Sequence, residues 1–189
     1  MSQKKRIYQI RVTLNWSRPP IWRRLLIDSR YHLDDLHAII QDAMGWDCSH
    51  LHQFYHGGKT YVEYHPEFGD LWEGQDYEMG KPIALFLTEE KDKLMYEYDM
   101  GDGWLHTIEL EKILPADKKQ TIPTCIGGRR ACPPEDIGGM GGYEYLMEVM
   151  ADKEHEEHEE MLEWLGLNEA SEFNPAAFNK DEVNQRLAR

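Results

Sequence analysis

At 189 residues the chain can bury a core without help from disulfides or metal, and it has room for one domain or two small ones. Its 41% hydrophobic and 30% charged residues describe a globular protein, and a formal net charge of −14 opposes non-specific binding to a phosphate backbone. No apolar run approaches the roughly 18 residues of a membrane span, no secretory leader is legible, and three cysteines, an odd count, point to a reducing cytoplasm.

The first elements read as a hairpin. Tyr8, Ile10, Val12 and Leu14 make an apolar stripe at strand spacing, residues 16–20 hold two prolines in a turn, and Ile21 to Ile27 reads as a second strand. Leu33 opens an amphipathic helix reaching Trp46. Leu36, Ile39, Ile40, Ala43 and Met44 recur at helical spacing, with Asp34 and Asp35 in the first turn and Gly45 as a C-terminal breaker. Residues 50–64 read as strand, Gly57-Gly58 turn, strand. Residues 65–80 form a loop carrying Pro66, Phe68 and Trp72, and Ile83 to Thr88 shows a short helical pattern.

The most informative stretch runs from Leu94 to Ile113. Two alternating runs flank Met100-Gly101-Asp102-Gly103, which has the residues of a tight reversal. Leu94, Tyr96 and Tyr98 share a face, as do Trp104, His106, Ile108 and Leu110, whereas Thr107, Glu109 and Glu111 lie opposite. Beyond Pro115, the stretch 125–142 carries six glycines and two prolines, a density that predicts an extended, specifically folded loop instead of a regular element. Helical patterns follow from Tyr143 to Met150, from His155 to Leu165 and from Asn179 to Leu187. The acidic run around His155 and His158 is the solvated face of a helix. The expected class is α+β: a β-grasp-like mixed sheet with one packed helix, plus a helical C-terminal third. We take residues 1–189 as a single domain, with a sheet-rich core over 1–114 and the Gly/Pro-rich loop and C-terminal helices over 115–189.

Four strings in this order, YDMGDGWLHTIELE, GGRRACPPEDIGG, GYEYLMEVMADKEHEEHEEMLEWLG and FNPAAFNKDEVN, cover much of the second half of the chain. Together with Pro19 to Arg24 and the helix opening at Leu33, they resemble the open-reading-frame-three-like proteins first named from a root-inducing plasmid. Met100 stands where that family usually has Phe, and Gly103 where a second acid is common. The resemblance implies a single α+β domain, often carried on plasmids and mobile elements, with no established activity.

Several residue groups compete as a site. Asp99, Asp102 and His106 could serve acid–base chemistry or a metal. The plainer reading has Asp102 capping the turn and His106 buried and hydrogen-bonded beside Trp104 and Ile108. Cys132 with His106 as base is a conceivable nucleophile pair, but a thiol packed under a Gly-rich loop is the simpler account. Cys125 and Cys132, with His155 and His158, are spaced poorly for structural zinc. Arg129 and Arg130 offer an anion site or an internal pair with Glu135 or Asp136. The histidines at 50, 52, 56 and 65, near Cys48 and Glu63, form the densest cluster and read mainly as structural. Arg18, Arg23, Arg24 and Arg30 with Trp16 and Trp22 resemble a nucleic-acid surface, but alternation puts Arg23 opposite Arg24.

The expected site is therefore a shallow cleft between the central hairpin and the Cys132–Gly142 loop, lined by Asp102, Trp104, His106, Glu135 and Asp136. It would serve a binding or interaction module whose partner is a protein or small molecule. Nucleic acid is disfavoured, no membrane is involved, no residues are assigned to a metal, and no cofactor is called for. Two rival classes are a metal-dependent hydrolase and an accessory to mobile-element DNA transactions. No recognised catalytic string decides whether the chain is an enzyme.

Overall fold

The computed structural model describes residues 5–62, 79–117 and 119–189. Seven strands form one sheet: β1 (Arg6–Leu14), β2 (Ile21–Asp28), β3 (His52–His56), β4 (Lys59–Val62), β5 (Lys93–Tyr98), β6 (Trp104–Pro115) and β7 (Thr124–Arg129). Their spatial order is β4-β3-β5-β6-β1-β2-β7. Four helices accompany them: α1 (Leu33–Met44), α2 (Gly139–Ala151), α3 (His158–Leu165) and α4 (Lys180–Leu187), with a 3₁₀ turn at Ile83–Leu85. The expected loop residues Pro66, Phe68 and Trp72 lie outside the described residues, as do Glu63 and His65.

The α+β class stands, but the mixed pairing of a β-grasp sheet does not. Every pairing between named strands is antiparallel, including that of β1 with β6. The sequence signals are hairpin signals, and short turns can only join antiparallel neighbours. A second correction concerns the Gly-rich stretch. Thr124–Arg129 is an edge strand on β2, and α2 already begins at Gly139, so regular structure enters the region from both ends. Its glycines admit close neighbours: a Cβ on Gly128 would overlap the Phe178 ring. The sheet thus takes a strand from beyond residue 114.

Alternation makes the sheet one-faced. Tyr8, Ile10, Val12 and Leu14 of β1 are buried, as are Leu94, Tyr96 and Tyr98 of β5 and Trp104, His106, Ile108 and Leu110 of β6. Leu33, Leu36, Ile40 and Ala43 of α1 join the same apolar cluster, which also takes in Tyr143 and Leu146 of α2, Leu162 of α3 and Val183 of α4. The opposite face is polar and internally paired. Arg24 makes a bidentate contact to Glu111 at 2.6 and 2.7 Å, Gln9 donates to the same carboxylate at 2.7 Å, and Arg11 and Arg24 stack on Trp22. The Arg24 hydrogen bonds hold the Glu111 carboxyl below its usual range.

Caps and covers finish the elements. Asp35 accepts from the His32 N–H at 2.8 Å to open α1, and Gly45 closes it at φ 96°, a left-handed conformation that glycine adopts without cost. Asn184 of α4 accepts from the Cys125 N–H at 2.7 Å and donates to the Cys125 carbonyl at 3.0 Å, so a side chain occupies backbone groups of an edge strand.

One glycine couples the two halves of the expected site. Gly139 sits at φ 69°, and a Cβ there would collide with the Asp102 carbonyl oxygen. Gly139→Ala should therefore cost at least about 2 kcal/mol, through both the left-handed backbone and the clash. Urea unfolding of the variant beside the wild type measures it; a midpoint unchanged from wild type would show that the hairpin and loop do not press together here.

Candidate functional site

The hairpin tip and the Cys-Pro-Pro-Glu-Asp loop meet, through contacts made largely by backbone and carboxylate groups. At the turn Asp99, not Asp102, is the cap. It adopts φ 53°, and its Oδ1 accepts from the N–H groups of Gly101 at 2.9 Å and Asp102 at 3.4 Å. Asp102 is thereby left to reach the loop, where its Oδ2 accepts from the Gly138 N–H at 3.2 Å. The end of α1 braces the loop from the other side. Trp46 donates its indole N–H to the Pro133 carbonyl at 3.0 Å, and Glu135 accepts from the Asp47 N–H at 3.1 Å and from the Tyr98 hydroxyl. Burial, reinforced by the Glu135 hydrogen bond, pushes the Tyr98 phenol up to about 12.

Of the five residues expected to line a cleft, Asp102, Glu135 and Asp136 keep some exposure, whereas Trp104 and His106 are 0% exposed. Both rings lie under Trp46, whose ring centroid is 5.7 Å from Trp104 and 5.4 Å from His106. His106 is buried as the plainer reading holds, but among the described residues neither ring nitrogen has a hydrogen-bond partner of normal geometry, and the Trp104 indole nitrogen likewise has none. Desolvation drives the His106 pKa down to about 4, against a weaker pull from neighbouring backbone groups. His37 of α1 is depressed to about 4 by the same cause, although its Nδ1 lies 2.7 Å from the Tyr96 hydroxyl.

The cavity at this junction, about 640 Å³, opens beside the loop and not along the hairpin face. Trp46, Tyr143, Leu165 and Phe173 supply its apolar lining, while Asp47, Glu135, Asp136 and Glu172 supply carboxylates. Arg186 is the basic residue in the lining, and its Nε is spent on the Asp42 carbonyl at 2.7 Å. Cys132 also lines the cavity, but burial pushes its thiol up to about 12, so it is protonated at neutral pH and a poor nucleophile.

The remaining groups are dispersed. His52 stacks on His37 at 3.5 Å, His56 packs edge-on to Phe86, and His158 is buried with Nδ1 2.9 Å from the Val149 carbonyl. His50 turns to the loop, with Nε2 3.1 Å from Oδ1 of Asp136 and 3.8 Å from Oδ2 of Asp99. Sequence reasoning held these three residues in separate groups, and no local spacing signals their meeting. Three of the arginines weighed as a nucleic-acid surface are engaged within the fold: Arg24 pairs with Glu111, Arg30 with Asp28, and Arg23 is buried on three backbone carbonyls.

Residues 6–182 match the family described as plasmid pRiA4b ORF-3-like protein. The chain belongs to this family. A relative from Sinorhizobium fredii (strain NBRC 101917 / NGR234), named uncharacterized protein y4hQ, is 34% identical over 96% of this chain and 90% of its own length. The crystal structure of MM3350 from Methanosarcina mazei Go1, titled a protein of unknown function, matches with a TM-score of 0.82 and 32% identity, over 96% of this chain and 99% of that one. The resemblance seen in the motif strings is thus a family membership. No helix among the described residues is long and apolar enough to cross a membrane.

The two depressed histidines give the protein a calculable acid response. Each is neutral when folded and ordinary when unfolded, so between pH 6.5 and about 4 the unfolded chain binds more protons. Stability should be full above pH 6.5 and fall as the pH drops through that window, by roughly 3 kcal/mol for His106. Denaturant midpoints measured from pH 7.5 to 4 should show the fall, and His106→Phe should flatten it. An unchanged slope in the variant would mean His106 does not stay neutral in the folded core.

Proposed function

We propose that this protein is an interaction module whose cleft receives a cationic, lysine- or arginine-bearing segment of a partner. The observation that carries the reading is the charge of the cavity: four carboxylates, from Asp47, Glu135, Asp136 and Glu172, against one guanidinium already engaged with a carbonyl. Its apolar floor of Trp46, Leu165 and Phe173 suits the methylene stem of a long basic side chain, whose charged head then meets the acidic rim. The net charge of −14 works in the same direction at long range, steering a basic partner in and repelling an acidic one.

We further read the chain as one domain, because α4 packs against both α1 and β7 and so ties the C-terminal segment to the sheet. Three free thiols, at Cys48, Cys125 and Cys132, support a reducing, cytoplasmic setting. A role in mobile-element DNA transactions has little support, since on the outer sheet face Arg24 is paired with Glu111 and Arg11 stacks on Trp22. The metal-dependent alternative turns on His50, Asp99 and Asp136, of which Asp136 also lines the cavity.

Calorimetric titration of chelator-treated protein with an unstructured lysine-rich peptide and a glutamate-rich counterpart tests the reading. The lysine-rich peptide should bind, more weakly at high salt, and the glutamate-rich one should not. Asp47→Asn with Glu172→Gln removes two charges while keeping oxygen acceptors. At about 0.5 kcal/mol for each partly exposed pair, the double variant should lose about fivefold in affinity. Equal binding of both peptides, or a variant that binds like wild type, would overturn the assignment.

A further inference from the structure

Three donor atoms from distant stretches of chain converge where the hairpin tip meets the loop. A donor atom from each of His50, Asp99 and Asp136 lies within 4.8 Å of the other two; His50 Nε2 stands 3.1 Å from Oδ1 of Asp136 and 3.8 Å from Oδ2 of Asp99. With metal–donor bonds of about 2.1 Å, adjacent donors in a tetrahedral or octahedral shell stand roughly 3.0 to 3.5 Å apart. The His50–Asp136 spacing already falls in that range, and the His50–Asp99 spacing of 3.8 Å reaches it by closing a few tenths of an ångström.

Two further features separate this group from an ordinary surface cluster of acids. The His50 side chain is 29% exposed, but its Nε2 is shielded from solvent and among the described residues makes no hydrogen bond, although the Asp136 oxygen stands 3.1 Å away. An imidazole nitrogen withdrawn from water and left unpaired is costly, and a lone pair directed at a cation removes that cost. Asp99 is the second feature. It is only 8% exposed, and among the described residues neither it nor Asp136 pairs with a lysine or arginine. Its other oxygen is committed to the turn, so the carboxylate is held in place with Oδ2 on the His50 side.

We propose that His50, Asp99 and Asp136 bind one divalent transition-metal ion, of the borderline class that accepts imidazole and carboxylate together, such as Zn²⁺ or Mn²⁺. Two carboxylates neutralise the ion, and the imidazole favours it over Ca²⁺ or Mg²⁺. Three protein donors leave coordination positions for water or a ligand atom, which is the composition of an open centre and not of a closed structural one. Tyr98 ties the His50 side to the loop that carries Asp136. The His50 ring stands edge-on to Tyr98 at 5.8 Å, and the Tyr98 hydroxyl accepts from the Ser49 N–H at 3.0 Å while bonding Glu135 of the loop. The site shares Asp136 with the acidic rim but does not rest on the cationic-segment reading, since the Asp47 and Glu172 substitutions that test that reading leave all three donors in place.

The full chain, stripped with a chelator and dialysed, should be titrated with ZnCl₂ and with MnCl₂ by calorimetry, with thermal unfolding followed in parallel. At least one of the two ions should bind saturably at one per chain and raise the unfolding temperature. His50→Ala and Asp136→Asn should each weaken binding more than about tenfold, because loss of a direct donor exceeds the loss of an outer partner. Glu160→Gln, an exposed acid on α3, should bind as wild type does. His50→Gln and Asp99→Asn keep size and turn geometry, and they replace any variant whose circular dichroism shows it unfolded. Absence of saturable binding by both ions, or donor variants indistinguishable from wild type, would overturn the site and leave His50 as a plain ion-pair partner of two aspartates.

Discussion

The clamp between the β5–β6 turn and the loop that precedes α2 holds the rest of the site in place. Its physical basis is hydrogen-bond satisfaction at a tight reversal. Asp99 takes up the turn's own N–H groups, which releases Asp102 to accept from Gly138. Gly139 then lets the loop backbone lie against the Asp102 carbonyl, an approach that no side-chain-bearing residue permits. Once the loop is seated there, Pro133 meets the Trp46 indole, Glu135 meets Tyr98, and Asp136 is delivered to His50.

That clamp divides the junction into a dry part and a wet part. Trp104 and His106 sit below Trp46 without exposure, and among the described residues their side-chain nitrogens have no hydrogen-bond partner in a medium that punishes charge. Desolvation outweighs the neighbouring backbone dipoles, so His106 stays neutral and works as core. Above Trp46 the lining changes to carboxylates facing an open cavity. The two parts are one residue layer apart, yet they favour opposite chemistry. Chemistry with charged groups belongs to the upper part, with His50, Asp136, Glu135 and Asp47.

Much of the architecture is legible in the sequence because it depends on local periodicity. The stripe Tyr8, Ile10, Val12, Leu14 and the faces of the 94–111 hairpin are buried as alternation requires. The span of α1 and its Gly45 stop follow from helical spacing and the one residue that tolerates the left-handed C-cap. Composition misleads where it stands in for geometry. Glycine density around Gly127 and Gly128 signals a loop, but these glycines lie in an edge strand packed beneath Phe178 and Trp22, where close approach substitutes for β-propensity. Alternation likewise places Asp99 on the wet face, because it cannot foresee a residue that leaves the strand at φ 53° and folds its carboxylate into the turn.

By itself the sequence determined the elements outside the Gly-rich stretch, most of their buried faces, the α+β class and, through its motif strings, the family. These are properties of neighbours along the chain, set by side-chain spacing of two or 3.6 residues and by turn chemistry. Only the tertiary structure decided that the sheet is antiparallel throughout, that Trp104 and His106 lie under Trp46, and that His50, Asp99 and Asp136 face one another. Those outcomes depend on which distant segments close upon each other. Closure of that kind is selected by the summed packing of a whole core, and no single stretch of residues carries its signal.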